Sequence, residues 1–405
     1  MLKRNVVALG MRLASIVVVA STAPALAQMD KMFINPAGGY TQVVAVEDRA
    51  VTTLYVSGQV GTGDDLQAHA ESAFAGVAEQ LSAAGASMAD VVKIRIYVTD
   101  FDPDDYQIIA AARLAAFPDD AWPVSTMLGV NALARDEFRV EIEATAVVAA
   151  PGADFELTRL GPSRGFSQVV IVRHGAVKTI WVAGQVGQGN NLTEQTRVVF
   201  GRVADRLADA GATMDDLVKT NTYIVDFRPS AEMESFRNGR SSVFGLQPPS
   251  STLVGIDRLV SDEFRVEVDG VAMVEDEGHD ERLTTEFLDP AGGFTQVVTT
   301  RGNGAKTIYV SGQVGQPGDS LERQAEQALA GMGQRLALAG ATPEDLVKVI
   351  YYLPDYTPGN TGISGAREAN DFPMENVPAA TLLGIQSLFI ETARFEYEGI
   401  AVVQP

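Results

Sequence analysis

The chain of 405 residues contains no cysteine and only three histidines. The lack of cysteine excludes disulfide bonds, thiolate metal ligands and cysteine nucleophiles, so the fold has to be stabilised by packing. His69, His174 and His279 stand far apart, and no group of histidines and acidic residues has the spacing of metal ligands. We therefore expect neither a metal nor another cofactor.

Basic residues are also scarce. The 31 lysines and arginines stand against 52 aspartates and glutamates, which gives a formal net charge of −21 at pH 7. A surface of this charge repels the phosphate backbone of nucleic acids. We therefore expect no nucleic-acid partner.

Long apolar runs are missing as well, because no segment reaches the roughly 18 uninterrupted apolar residues that a membrane-spanning helix needs. The N-terminus has Lys3, Arg4 and Arg12 around a short apolar run, and a small-x-small cleavage site ends at Ala27. This pattern is typical of a secretory signal peptide. It predicts residues 1–27 as a signal peptide and a periplasmic or secreted mature protein without a membrane anchor. Loss of the three cations lowers the formal net charge from −21 to −24.

The sequence does contain blocks that occur repeatedly. Gly-Gln-Val-Gly stands at 58–61, 184–187 and 312–315, and Asp-Glu-Phe-Arg-Val-Glu occurs at both 136–141 and 262–267. The third copy has Ala-Arg-Phe-Glu at 393–396 in the corresponding place. Ordered repeats at this spacing predict three tandem domains, at 33–150, 155–275 and 284–403.

Hydrophobic periodicity predicts an α+β fold for each copy. Val92, Ile94, Ile96 and Val98 alternate with polar residues, which is typical of a half-buried strand. The elements predicted for the first copy are strands at 53–57, 92–98 and 138–148, helices at 66–84 and 106–117, and one further strand before the first helix and one after Pro123. In the third copy, prolines and glycines between 354 and 378 predict a second helix that is short or absent.

Several segments together resemble the Rid (reactive intermediate deaminase) family. They are Gly-Gly-Tyr-Thr-Gln at 38–42, Val-Ser-Gly-Gln-Val at 56–60, Asp-Val-Val-Lys at 90–93 and Val-Glu-Ile-Glu-Ala at 140–144. The resemblance implies a chorismate-mutase-like α+β fold, which in this family forms homotrimers with sites in the clefts between subunits. Three copies in one chain then imply a monomer arranged as a pseudo-trimer.

The resemblance also implies a catalytic glutamate that positions water, which corresponds to Glu141, Glu267 and Glu396. A carboxylate of this kind can act as a general base in the addition of water to an imine carbon. An alternative is that each glutamate only pairs with the arginine two residues before it, on the same face of the strand.

Further site residues follow from the same alignment. The cleft aromatic corresponds to Tyr40, Phe166 and Phe294, and the cleft serine to Ser57 and Ser311, with Ala183 in the second copy. The arginine that binds the substrate carboxylate is replaced by Ser125, Ser251 and Ala380. We expect Ser125, Thr126, Ser251, Thr252 and Thr381 to contact the ligand instead. Candidates for a substitute cation are Arg113, Arg237 and Arg367.

Two functions remain open on these residues. Loss of the arginine in every copy favours an atypical exported Rid protein that binds a small metabolite in its interdomain clefts. Retention of the glutamate favours an enamine or imine hydrolase that resembles 2-iminobutanoate/2-iminopropanoate deaminases. Endoribonuclease activity, which is also attached to the family, is the least favoured because of the negative charge.

Overall fold

A computed structural model describes residues 29–241, 243–359 and 361–404. The predicted signal peptide lies outside the described residues. Within them, no helix is long and apolar enough to cross a membrane.

The first repeat contains three strands before its first helix, one more than the sequence pattern predicts. Its elements are β1 (Asp30–Pro36), β2 (Thr41–Asp48), β3 (Val51–Val60), α1 (Leu66–Ala83), β4 (Val91–Thr99), α2 (Tyr106–Ala116), β5 (Val124–Val130) and β6 (Val140–Ala149). Helix α1 begins where the Asp65 side chain accepts a hydrogen bond from the Ala68 backbone, and it ends at Gly85, which has a φ of +76°.

The other two repeats contain the same elements in the same order. The second has β7 (Phe155–Leu160), β8 (Val169–His174), β9 (Val177–Val186), α3 (Leu192–Asp209), β10 (Leu217–Val225), α4 (Pro229–Arg240), β11 (Ser250–Ile256) and β12 (Val266–Glu275). The third has β13 (Thr284–Pro290), β14 (Thr295–Gly302), β15 (Ala305–Val314), α5 (Leu321–Leu338), β16 (Leu346–Pro354), α6 (Ile363–Ala369), β17 (Ala379–Ile385), β18 (Ser387–Leu388) and β19 (Glu396–Val403). Helix α6 has only seven residues, as its prolines and glycines predict.

Each repeat contributes six strands in the same order, and its helices pack on one face of them. The first repeat forms a sheet of its own, whereas pairing of β11 with β14 joins the second and third repeats into one 13-stranded sheet. The strand order in the first repeat is β1-β2-β3-β6-β4-β5, and the corresponding order recurs in the other two. Within a repeat, the strands pair antiparallel except for β4 with β5 and their equivalents, which α2, α4 and α6 connect. In the first repeat, Phe74, Val77 and Leu81 of α1 are buried against the sheet.

The three repeats form a closed ring. The backbone amide that begins the second strand of one repeat donates to a proline carbonyl of the preceding repeat. These hydrogen bonds are Ser167 N to Pro123 O at 2.8 Å, Thr295 N to Pro249 O at 3.0 Å, and Thr41 N to Pro378 O at 3.2 Å. The last bond joins the third repeat to the first, so each repeat contacts both others.

The second face of each sheet is covered by the neighbouring repeats. All nine residues of β4 are buried, so the prediction of a half-buried strand is wrong. The polar residues that alternate in this strand point to the centre of the ring, where Tyr97, Tyr223 and Tyr352 belong to one apolar cluster drawn from all three repeats. The hydrophobic periodicity correctly predicted which residues lie on each face of β4, but closure of the ring buries both faces.

Candidate active site in the clefts between repeats

One glutamate at or next to the start of the last strand of each repeat lies beside a neighbouring repeat. Glu141, Glu267 and Glu396 are 4%, 4% and 1% exposed. Each carboxyl group lies over the first glycine of Gly-Gln-Val-Gly, and a Cβ atom on Gly58 would be only 1.6 Å from Glu141 Oε1. Glycine is required there because a side chain would displace the carboxyl group. The glycine lies in a bulged part of a strand, between Val56 and Gln59 of β3, and not in the predicted turn.

Burial changes the protonation of these glutamates. It raises the pKa of Glu141 to about 8, against the opposing effect of Lys348. Burial also raises the pKa values of Glu267 and Glu396 well above their ordinary value, and the nearby Asp269 and Glu398 carboxylates add to this. Burial therefore favours the neutral acid form of each glutamate, which can donate a proton.

Each glutamate belongs to one of three clefts, which we number by the repeats that form them. The first cleft lies between repeats one and two and contains Glu267 with Thr126 nearby, because Thr126 Oγ1 is 3.1 Å from the Cβ position of Gly184. The second cleft lies between repeats two and three. It encloses a cavity of about 550 Å³ whose walls include Ser251, Phe294 and Glu396.

The third cleft lies between repeats three and one and contains Glu141 with Tyr40. Burial, followed by the charge of Glu141, raises the pKa of the half-buried Tyr40 phenol. The Tyr40 hydroxyl accepts a hydrogen bond from Gln42 Nε2 at 3.4 Å.

The second helix of each repeat supplies an arginine to a cleft. In the first cleft, Arg113 donates to Ser125 Oγ and to Arg164 O, both at 3.1 Å, and its Cζ atom is 5.0 Å from the ring centre of Phe166. A guanidinium group thus stands beside Ser125, where the resemblance places an arginine. In the third cleft, Arg367 donates to Gly39 O at 2.7 Å and to Pro373 O.

The arginine of the second cleft is held differently. Arg240 lies among three aromatic rings, with its Cζ atom 4.7 Å from the centre of Phe244, 5.6 Å from Phe200 and 5.9 Å from Phe236. Among the described residues, its Nε and Nη2 atoms have no hydrogen-bond partner, and neither has Oε2 of Glu396 in the same cavity. Burial lowers the pKa of Arg240 to about 10, which leaves it charged at neutral pH. In the described part of the chain, the walls of this cavity therefore carry a cation and an acid that both have polar atoms without a partner.

Comparison with known proteins agrees with this architecture. The sequence model of the Endoribonuclease L-PSP family matches residues 31–148, 156–274 and 284–403. The chain belongs to this family.

Among curated relatives, a 2-iminobutanoate/2-iminopropanoate deaminase of Dermatophagoides farinae is 33% identical over 28% of this chain and 89% of its own length. Among solved structures, a member of the YjgF/YER057c/UK114 family from Mycobacterium tuberculosis is 34% identical over 29% of this chain and all of the other, with a TM-score of 0.26. A chorismatase structure covers 77% of this chain and 93% of its own at 14% identity and a TM-score of 0.48. The chain thus carries three tandem Rid domains with an α+β fold.

In this Rid protein, the cleft serines connect repeats. Ser57 Oγ donates to Thr41 O at 2.6 Å and accepts from Ala380 N at 2.8 Å, and Ser311 Oγ makes the same two bonds with Thr295 O and Ser251 N. Both hydroxyl groups are therefore occupied by backbone groups of two repeats. Ala183 offers no such bond to the first cleft.

The three threonines named as ligand contacts belong to a buried ionic cluster at the ring centre. Thr126 donates to Asp269 at 3.3 Å, Thr252 to Glu398, and Thr381 to Glu143 at 2.7 Å. The structure therefore brings Ser125, Ser251 and the aromatic residues together with the glutamates, and directs the threonine hydroxyls to carboxylates behind them.

The alternative of a same-face ion pair does not hold for the described residues. Arg139 donates to Thr99 O and Asp100 O, both at 3.4 Å, and Arg265 pairs with Glu232 at 2.9 Å. Each of the three glutamates is left without an arginine partner within ion-pair distance in the described part of the chain.

Sequence reasoning missed Arg240 and named Arg237, an exposed residue on the same cavity wall. The sequence does contain a signal for this residue, because one arginine precedes the corresponding proline in every repeat. Arg113 stands ten residues before Pro123, Arg240 nine before Pro249, and Arg367 eleven before Pro378. An alignment without gaps places Gly239 opposite Arg113 and conceals this correspondence.

Proposed function

We propose that the protein hydrolyses small 2-imino acids, or the enamines in equilibrium with them, to 2-oxo acids and ammonia, and that the second cleft carries most of this activity. One observation carries the proposal: the walls of the same cavity include a buried glutamate whose pKa is raised and an arginine whose Nε and Nη2 atoms have no hydrogen-bond partner among the described residues. The name of the Dermatophagoides farinae relative supports the reaction type.

The cavity residues have complementary roles in this reaction. The guanidinium of Arg240 offers two parallel donors to the substrate carboxylate, in place of the arginine that Ser251 replaces. Phe236, Phe244 and Phe294 form an apolar wall that favours a substrate with an apolar side chain.

Glu396 transfers the protons. Its acid form protonates the imine nitrogen, and the resulting carboxylate accepts a proton from water as the water oxygen bonds to the imine carbon. Return of that proton to the nitrogen of the amino alcohol lets ammonia leave. The Glu396 carboxylate takes the hydroxyl proton as the carbonyl group forms, which restores the acid form of the enzyme.

The test is turnover of freshly generated 2-iminobutanoate and 2-iminopropanoate by the mature chain, followed as 2-oxo acid formed. We expect hydrolysis above the buffer rate, and its loss when Glu141, Glu267 and Glu396 are all changed to alanine. A rate equal to that of buffer for the unchanged protein would reject the proposal.

Binding without turnover is the second candidate, and it suits the first and third clefts. There the arginines are tied to backbone carbonyls, and Arg113 also to Ser125, so fewer donors are free for a carboxylate. An uncharged metabolite fits such a cleft better than an imino acid. Calorimetric titration with 2-oxobutanoate and with its uncharged amide distinguishes the second cleft from the other two, since only the second cleft is expected to require the carboxylate of the ligand.

We further propose that the protein acts as a single exported chain. The ring of backbone hydrogen bonds already provides each repeat with two neighbours, and the N-terminal sequence supports export to the periplasm or the medium. Light scattering of the mature protein should give the mass of one chain. A stable trimer of chains would contradict this proposal.

A further inference from the structure

The centre of the ring contains a buried ionic cluster that the proposed reaction does not use. Lys93, Lys219 and Lys348 occupy equivalent positions in β4, β10 and β16, and each binds an acidic residue of the next repeat. The distances are 2.7 Å to Asp269, 2.8 Å to Glu398 and 2.7 Å to Glu143. All six residues are at most 8% exposed.

A fourth cation breaks the symmetry of this cluster. Arg95 stands two residues after Lys93, where the other repeats have Asn221 and Ile350. It donates to Asp269 at 2.8 Å and to Glu143 at 2.9 Å, both of which already bind a lysine. Among the described residues of the cluster, four cations therefore share three carboxylates.

Burial and the charge of Arg95 lower the pKa of Lys93, so the cluster disfavours the fourth positive charge unless an anion accompanies it. The lysines and Arg95 keep the pKa of Glu143 at about 2 and lower those of Asp269 and Glu398, so all three carboxylates are already charged. The raised pKa values of Glu141, Glu267 and Glu396 favour the neutral form of these residues. An unbalanced charge in a buried site is strongly unfavourable unless an opposite charge accompanies it.

A cavity lies beside the excess charge. It has a volume of about 90 Å³, and its walls include all three lysines, Arg95 and Asn221. This is more than the roughly 10–15 Å³ that one water molecule requires. Tyr55, Trp181 and Tyr309 also line it, and the same three aromatic residues line a second cavity of about 120 Å³ together with His174 and Asn303. The two cavities therefore adjoin each other at these aromatic residues.

We infer that the central chamber binds one small monovalent inorganic anion, of which chloride is the representative. The four cations attract it, and the chamber is too small for a metabolite of the size that the second cleft accepts. The site is separate from the clefts and holds one anion per chain, because Arg95 occurs in the first repeat only.

The experiment uses the whole mature protein in sodium chloride, bromide and fluoride at constant ionic strength, with gluconate as the balancing anion. We expect the melting temperature to rise with the logarithm of chloride or bromide concentration. For one site, each tenfold increase above Kd shifts the folding equilibrium about tenfold. Gluconate is too large for the chamber and should have no such effect.

Variants decide whether the effect comes from the chamber. Arg95→Ile, which copies the third repeat, should abolish the chloride dependence, while Arg95→Lys keeps the charge and should retain it. Arg135→Gln removes an exposed arginine and should behave as the unchanged protein. Chloride dependence that survives in Arg95→Ile would place the anion elsewhere and overturn the inference.

A crystal soaked in bromide tests the same point without a variant. An anomalous peak among Lys93, Lys219 and Lys348 is expected, and its absence at a bromide concentration that stabilises the protein would overturn the inference. If Arg95→Ile fails to fold, this measurement still decides.

Discussion

The first and second clefts receive an arginine from the same helix of successive repeats and hold it in opposite ways. Both lie over aromatic rings, but the two Nη atoms of Arg113 donate to Ser125 and to a backbone carbonyl, whereas Nε and Nη2 of Arg240 have no hydrogen-bond partner among the described residues. In a homotrimer the three clefts are identical, because one sequence forms all of them. Fusion of the repeats into one chain lets each cleft change independently, so one cleft can keep catalysis while others become structural.

The largest effect is expected from the glutamates. Glu396→Gln should lower kcat/KM for 2-iminobutanoate by about 10²–10⁴-fold, because the variant cannot transfer the proton. Glu267→Gln, the matched change in the first cleft, should keep at least half of the activity. Equal losses of activity in the two variants would show that the first and second clefts are equivalent, which contradicts the difference proposed between them.

The arginines should show the next largest difference. Arg240→Met should lower kcat/KM about 30–1000-fold through loss of a desolvated partner for the carboxylate, worth about 2–4 kcal/mol. Arg113→Met should leave turnover nearly unchanged and lower the free energy of unfolding by about 1–3 kcal/mol, because Ser125 and the Arg164 carbonyl lose a donor. Turnover and urea unfolding of both variants check this pair, and reversed results would exchange the roles of the two clefts.

The third cleft can be tested through the pH dependence of stability. The pKa of Glu141 is about 8 in the folded protein and 4.5 ordinarily, so folding takes up a proton between these values. This contribution to stability is complete below pH 4.5 and is lost as pH rises to 8, by at most about 1.4 kcal/mol per pH unit. Relative to the unchanged protein, Glu141→Gln should therefore become more stable as pH rises from 5 to 8.

Urea unfolding at pH 5, 6.5 and 8 measures this difference, with the exposed Glu137→Gln as the control. A difference between Glu141→Gln and the unchanged protein that stays constant with pH would mean that Glu141 is ionised in the fold.

The smallest effect is expected from the serines that connect repeats. Ser57→Ala should lower the free energy of unfolding by about 1–2 kcal/mol, because Ala380 N and Thr41 O lose their buried partner. Ala183→Ser supplies the missing hydroxyl to the first cleft and should be neutral or stabilise by up to about 1 kcal/mol. Destabilisation by Ala183→Ser would show that the first cleft is closed by different packing.

Much of the fold could be predicted because it follows from local sequence patterns. The repeated Gly-Gln-Val-Gly blocks, the helical spacing of Phe74, Val77 and Leu81, and Gly85 as a helix end all act over a few residues. The first strand, β1, was missed because its three apolar residues, Met32, Phe33 and Ile34, are consecutive and do not alternate with polar ones, and its pairing with β2 stabilises it.

The candidate site was predicted only in part because it depends on contacts between repeats. The glutamates could be found from their repetition, but the burial that raises their pKa values comes from neighbouring repeats and has no local signal. The alternation of Lys93, Arg95 and Tyr97 with apolar residues indicated solvent on one side, whereas that side meets other charged residues. Arg240 was missed because the loop after α4 changes the register by one residue.

The hydrogen bond from Thr41 N to Pro378 O also has a consequence for how the chain folds. The first repeat cannot complete its own edge until the last repeat has been synthesised, and Arg367 reaches Gly39 across a sequence separation of 328 residues. Contacts between such distant segments form late, because a long loop has to close first. The third cleft is therefore the last to assemble, and a nascent chain that stops before residue 378 exposes an unpaired strand edge to chaperones and proteases.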